Sequence, residues 1–243
     1  MRVTGIIPAR WHSNRLEGKV LAEINGKPMV QHVYERCCQA RLLSETLIAT
    51  DDVRVEAAAR GFGAPVVLTS SDHQSGTDRV AEAARSLDCD VVVNIQGDEP
   101  MLNPVMINEV VAPLEKFPEV EFSTLKQRIV NEDELNNPAV VKVVVDVDHY
   151  ALYFSRSLIP YPTPGNSIET FEHIGIYAYR STCLAKLAQL RPTPLEKSEG
   201  LEQLRALENG IRLYVVESGC RVKGISVDTP DDLEEVRQLM KGD

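Results

Sequence analysis

Four stretches of this 243-residue chain are short and mostly apolar: RVTGIIPA (2–9), TLIAT (46–50), PVVL (65–68) and VVVNIQ (91–96). None alternates apolar with polar residues, as a strand with one wet face would. Each reads instead as a strand buried on both faces. The sequence between them has a different period. In PMVQHVYERCCQA (28–40) the apolar residues fall at 29, 30, 33, 34, 37 and 38, a helical spacing opened by Pro28. Asp51 is expected to cap a second helix through Ala59, ended by Gly61 and Gly63. Further helices are predicted over Thr77–Leu87 and from Asn103 to about Lys116. Buried strands alternating with amphipathic helices predict an α/β fold, a mostly parallel central sheet with helices on both faces.

The rhythm then changes. FSTLKQRI, AVVKVVVDV, YALYFSRS and HIGIYAYR read as strands with little helix between them, which predicts a smaller mixed or antiparallel sub-lobe. LEKSEGLEQLRALENG (195–210) reads as one helix ended by Gly210, and IRLYVVES and VKGISV as strands. Thr229-Pro230 opens a C-terminal helix with acids in its first turn. The Pro-rich stretch 160–172 reads as a rim or lid loop. The whole is expected to be a single domain. Its first part covers about 1–120 plus the C-terminal strand and helix, and the sub-lobe covers about 121–218.

Charge narrows the function. The formal net charge of -10 disfavours nucleic acid and anionic membrane as partners. Residues 1–41, however, hold seven basic side chains against three acidic ones, an island suited to a local anionic ligand. No apolar run approaches the roughly 18 residues of a membrane span. MRVTGIIPAR does not read as a secretory signal. Five cysteines with no CxxC pair argue against a disulfide framework, and a reduced, cytoplasmic setting is expected. Cys37 and Cys38 fit the helical period and are expected to fill core.

Three segments carry chemistry. PARWHSNRLEGK (8–19) leaves the first strand, and in open α/β sheets ligands sit beyond the carboxyl ends of strands. It lacks the glycines of a phosphate-binding loop, so Arg10, Arg15, Lys19 and the Ser13 hydroxyl would meet phosphates with side chains. In SDHQSGTDR (71–79), small residues around Gly76 would let a planar ligand approach, although Ser75 or Thr77 could simply cap a helix. QGDEP (96–100) ends a buried strand on an acid pair. Asp98 there, with Gly97 beside it, is placed to hold magnesium. One carboxylate seldom suffices, which directs attention to the distant Asp228, expected at the end of a short apolar strand. The five histidines show no zinc spacing, and no nucleophile motif is present.

Taken in order, IIPAR…RLEGK (6–19), DHQSGTDR (72–79), VNIQGDEP (93–100), NPAVVKVV (137–144), ALYFSRSLIP (151–160), HIGIYAYR (173–180), LEQLRALENG (201–210) and VDTPDDLEEV (227–236) resemble the CMP-Kdo synthetase family nearly end to end. Kdo is 3-deoxy-manno-octulosonate. The resemblance implies a Rossmann-like nucleotidyltransferase fold, with a nucleotide-binding part and a sugar-binding and dimerisation sub-lobe. The implied reaction, used in lipopolysaccharide biosynthesis, is CTP + Kdo → CMP-Kdo + pyrophosphate, with Mg2+. By the same resemblance Arg10, Ser13, Arg15 and Lys19 would hold the triphosphate, and Gln74, Ser75 and Gly76 would read the cytosine. Asp98 and Asp228 would ligate the metal. Gln96, Arg156, His173, Tyr177, Glu202 and Gln203 would line the sugar site, with Arg156 facing the sugar carboxylate. A homodimer is implied.

Two family prolines are replaced here by Glu17 and Val20, which is expected to loosen the loop and place an anion beside the phosphates. A basic residue usual after Pro160 is missing near Thr163, which bears on which acidic sugar is used. The competing readings are a cytidylyltransferase for another acidic sugar (amino-modified Kdo or a nonulosonate), a glycosyltransferase of the nucleotide-sugar fold, and a non-catalytic nucleotide-binding protein.

Overall fold

The apolar runs become strands and the periodic stretches helices in the computed structural model, which describes residues 1–13, 15–73, 75–165, 169–220 and 224–242. In chain order come β1 (Val3–Pro8), β2 (Glu23–Ile24), β3 (Lys27–Pro28), α1 (Met29–Cys37), β4 (Glu45–Thr50), α2 (Val53–Gly61), β5 (Val66–Leu68), α3 (Gly76–Ala84), β6 (Val91–Asn94) and α4 (Pro104–Lys116). Then follow β7 (Phe122–Arg128), β8 (Lys142–Val145), β9 (Ala151–Ser155), β10 (Phe171–Arg180), α5 (Ser181–Leu187), α6 (Pro194–Glu199), α7 (Leu204–Glu208), β11 (Tyr214–Glu217) and α8 (Pro230–Leu239). Contacts divide the chain into two compact units, Met1–Asn108 with Cys220–Asp243, and Glu109–Gly219.

In the first unit β6, β1, β4 and β5 lie side by side, all parallel, with Gly5 opposite both Thr46 and Val93, and Ile48 opposite Val66. Val91, Val92 and Val93 are fully buried, as a strand covered on both faces requires. Parallel pairing puts the ends Pro8, Thr50, Leu68 and Asn94 along one edge of the sheet. Leu233, Val236 and Met240 of the C-terminal segment pack with Ile24, Met29 and Val227. Each such buried side chain contributes about 1.5–3 kcal/mol. That packing holds the chain just before α8 in place.

Several local expectations change. Asp52, not Asp51, caps α2, accepting from the Arg54 amide at 2.8 Å. Asp51 instead receives fully buried Arg79 at 2.9 Å. Cys37 is core, but Cys38, one helical step away, is exposed. Gly224–Val227 form no strand. Their order comes from packing and from the Val227 amide, which donates to the Asp98 carbonyl at 2.9 Å. Thr229 does cap α8, in a box with Asp232.

The second unit is mixed, as the sequence pattern predicts. β7 pairs antiparallel with β10 and parallel with β11, and β8 pairs antiparallel with β10 and β9. The register on β10 shifts between Ile174 and Tyr177. The single helix expected over 195–210 is two. Gly200 takes the left-handed conformation (φ 63°) at the end of α6, cheap only for glycine, and α7 starts afresh. A buried Arg205–Glu196 ion pair at 2.5 Å ties the two helices together.

Candidate active site

Beyond the ends of β1 and β6 the first unit opens a cleft of about 240 Å³, lined by Pro8, Arg10, His12, Ser13, Lys19, Val20, Gly76, Gln96, Gly97 and Asp98. Arg10, Ser13, Lys19, Gly76, Gln96 and Asp98 of the expected set therefore meet here. His12 is an addition that the sequence did not single out. Gly97 is required by space: a Cβ there would lie 2.8 Å from the Pro8 carbonyl oxygen. The Ser75 hydroxyl caps α3, accepting from the Asp78 amide at 3.1 Å. Gln74 lies outside the described residues.

The loop from β1 has its own brace. Gly18 is left-handed (φ 67°), and a Cβ on it would meet the Trp11 ring at 2.8 Å. The Gly18 amide donates to the Trp11 carbonyl, and the Trp11 indole donates to Glu17 at 3.2 Å. Arg54 stacks over the same ring at 3.6 Å. Glu17 thus reaches Trp11 across the loop, and Val20 is buried. Beneath α3, Arg79 bridges Thr69 after β5 and Asp51 after β4, fixing the helix whose first residue lines the cleft.

Charge concentrates at Lys19. Its ammonium donates to Asp98 at 2.6 Å, to Asp228 at 2.9 Å and to the Val227 carbonyl at 3.2 Å. Arg15, largely exposed, reaches the same Asp228 oxygen at 2.8 Å. Burial works to lower the Lys19 pKa, but the Asp98 charge and the hydrogen bonds that Lys19 donates to both carboxylates outweigh it, so the pKa is raised and the ammonium persists. Asp228 is held by its own helix start, its amide donating to Asp232 at 3.0 Å. The two aspartates singled out in the sequence thus converge on one cationic atom. Glu99, the other acid of the pair, is half-buried, and burial pushes its carboxyl up to about 7.

The remaining expected residues lie in the second unit. Tyr177 donates to the Gln203 side-chain oxygen at 3.3 Å, while the Gln203 amide nitrogen is buried without a partner. Glu202 stands 3.6 Å from Arg205. His173 meets Thr124 at 2.9 Å, and burial holds its imidazole down at about 3, hence neutral. The Arg156 guanidinium donates to three carbonyls, those of Glu199 (2.7 Å), Pro138 (2.8 Å) and Gly200 (3.4 Å). That commits at least three of its five N–H groups to backbone.

Comparison with known proteins identifies the family. Residues 4–215 match the family described as Cytidylyltransferase. The 3-deoxy-manno-octulosonate cytidylyltransferase of Geobacter sulfurreducens is 50% identical over 99% of this chain and 100% of its own length. That of Geotalea daltonii is 49% identical over 99% of both. A solved structure of CMP:2-keto-3-deoxy-manno-octonic acid synthetase complexed with CTP superposes with a TM-score of 0.95 at 42% identity, covering 100% of this chain and 99% of that one. In sequence and in fold, the chain belongs to the cytidylyltransferase family, among the 3-deoxy-manno-octulosonate cytidylyltransferases.

Proposed function

We propose that this chain transfers CMP from CTP to the anomeric hydroxyl of Kdo, giving CMP-Kdo for lipopolysaccharide biosynthesis and releasing pyrophosphate. The observation that carries the reading is the meeting of Lys19, Asp98 and Asp228 at the strand-end cleft, in a chain similar throughout to proteins named for that activity.

The chemistry needs no enzyme nucleophile. The sugar's anomeric oxygen bonds to the α-phosphorus as the bond to pyrophosphate breaks, and the hydroxyl proton is released. Arg10, Ser13, Arg15 and Lys19 bind the triphosphate, Lys19 with an ammonium that stays charged and offsets the negative charge gathering on the leaving group. Ser75 and Gly76 shape the base pocket through backbone, since the serine hydroxyl caps α3. In the second unit, Tyr177, Gln203 and His173 offer neutral donors and acceptors to sugar hydroxyls. Arg156 acts chiefly by fixing the α6 end, with its remaining N–H groups available to the carboxylate.

Asp98 and Asp228 suit magnesium, for both reach a single cation and among the described residues no third acidic, His or Cys ligand joins them. Mg2+ commonly takes one or two carboxylates and completes its shell with phosphate oxygens and water. When bound, it would neutralise phosphate charge and acidify the attacking hydroxyl.

The protein is proposed to act in the cytoplasm as a homodimer. Five free cysteines fit a reducing compartment. Exposed Val130, Val147 and Leu152 on the second unit are side chains that a dimer would cover. No helix among the described residues is long and apolar enough to cross a membrane. Incubation with CTP, Mg2+ and a panel of Kdo, amino-modified Kdo and nonulosonates, followed by phosphorus NMR, tests the reading. A phosphodiester of CMP and Kdo is expected. Preference for another acidic sugar would reassign the acceptor.

A further inference from the structure

The register shift in β10 does something a straight strand cannot. Ile174 faces Leu125 and Tyr177 faces Thr124, so three steps along β10 answer one step along β7. Residues four apart in a regular strand lie about 13 Å apart. Yet the rings of His173 and Tyr177 stand 5.5 Å apart, centre to centre. The bulge folds two side chains of one strand into a single cluster, which Phe154 closes edge-on against His173 at 4.9 Å.

At the centre of that bulge is Thr124, fully buried. Its hydroxyl lies 2.8 Å from the Ile176 carbonyl oxygen, 3.2 Å from that of Ile174 and 2.9 Å from His173 Nε2. A hydroxyl has one proton to give, and carbonyls can only accept. If the proton went to the imidazole, the hydroxyl oxygen would turn lone pairs on two carbonyl oxygens. The satisfied arrangement has Thr124 donating its one proton to the nearer Ile176 carbonyl and His173 Nε2–H donating to Thr124. Burial keeps the ring neutral, so one nitrogen carries a proton and the other does not.

We propose that Thr124 is a positioning residue for the acceptor sugar: its hydroxyl closes the β10 bulge and fixes His173 as the Nε2–H tautomer, leaving Nδ1 to accept a hydrogen bond from a sugar hydroxyl. The inference rests on the reading of this cluster as the sugar site. It divides the labour there between acceptor and donor, since the Gln203 amide nitrogen beside Tyr177 is a buried donor without a partner.

The test has two arms. In the intact protein labelled with 15N-histidine, and with His173 assigned from the His173→Asn spectrum, Nε2 should show the protonated shift and Nδ1 the lone-pair shift. The opposite tautomer overturns the proposal without any appeal to activity. Kinetically, Thr124→Val removes the hydroxyl at constant shape. It should raise KM for Kdo about 10-fold, the order of one lost hydrogen bond in a buried site. KM for CTP should stay within about twofold, and Thr124→Ser should stay within about twofold of wild type on both. Equal loss on both substrates, no loss, or a serine variant as impaired as the valine one overturns it. If the wild-type protein turns over no acidic sugar, the functional reading fails, and the histidine spectrum still decides the role of Thr124 in setting the tautomer.

Discussion

The Lys19 site of the first unit gathers full charges, and the His173 cluster of the second gathers neutral dipoles. Around Lys19 one ammonium and one guanidinium face two carboxylates within 2.6–2.9 Å. Around His173, an imidazole held neutral, a threonine, a tyrosine and a glutamine exchange hydrogen bonds with no charge among them. The difference follows from what each set would handle. Charge moving among phosphates is stabilised by fixed charges already in position. A hydroxylated ligand is selected by donors and acceptors that are costly to leave unpaired, such as the Gln203 amide.

The comparison can be broken by substitution. The largest effect is expected from Asp98→Asn and Asp228→Asn, each cutting pyrophosphate release at least ~100-fold, as loss of a charge-stabilising element does. Near-normal release by either variant would remove that residue from the chemistry. Next, Lys19→Met should weaken CTP binding by about 10–100-fold, the range for hydrogen bonds to charged groups. Calorimetric titration with CTP reads it directly. Tyr177→Phe should raise KM for the sugar by about 5-fold while leaving CTP untouched, a neutral hydrogen bond's worth. A change confined to CTP would place that cluster elsewhere in the reaction.

A separate effect is on stability. The His173 pKa falls from 6.5 to about 3 on folding. Between those values the unfolded chain takes a proton that the folded one refuses, so stability drops as pH falls through that window. His173→Asn removes this contribution. The wild-type advantage in Tm over the variant should therefore shrink as pH is lowered across it, and an advantage that grows would mean that the folded imidazole is charged.

How far could a reader of the sequence have come? β1, β4 and β6 were legible because strands buried on both faces leave unbroken apolar runs. The Thr229-Pro230 cap was legible because capping is local. The pairing of Asp98 with Asp228 came from resemblance together with chain position, and the structure adds the Lys19 ammonium between them. What escaped depends on distant partners. Asp51 looked like a cap because nothing near it in sequence names Arg79 as its mate. Gly200 looked tolerable inside a helix, since a left-handed stop is recognised only once Arg156 and Arg205 have tied the chain down on either side. Thr124 looked like any strand residue. Its role arises from a bulge on the neighbouring strand, and register is a property of pairs of strands. The Glu17 contact escaped for the same reason, for its partner Trp11 sits across a tight loop.

The most direct test of the central claim is pyrophosphate release from CTP, UTP, ATP and GTP, each with and without Kdo and Mg2+. The account predicts rapid release from CTP only when Kdo and Mg2+ are both present, and little from the other nucleotides. Release that ignores the sugar, or that proceeds as well with UTP, ATP or GTP, would contradict it.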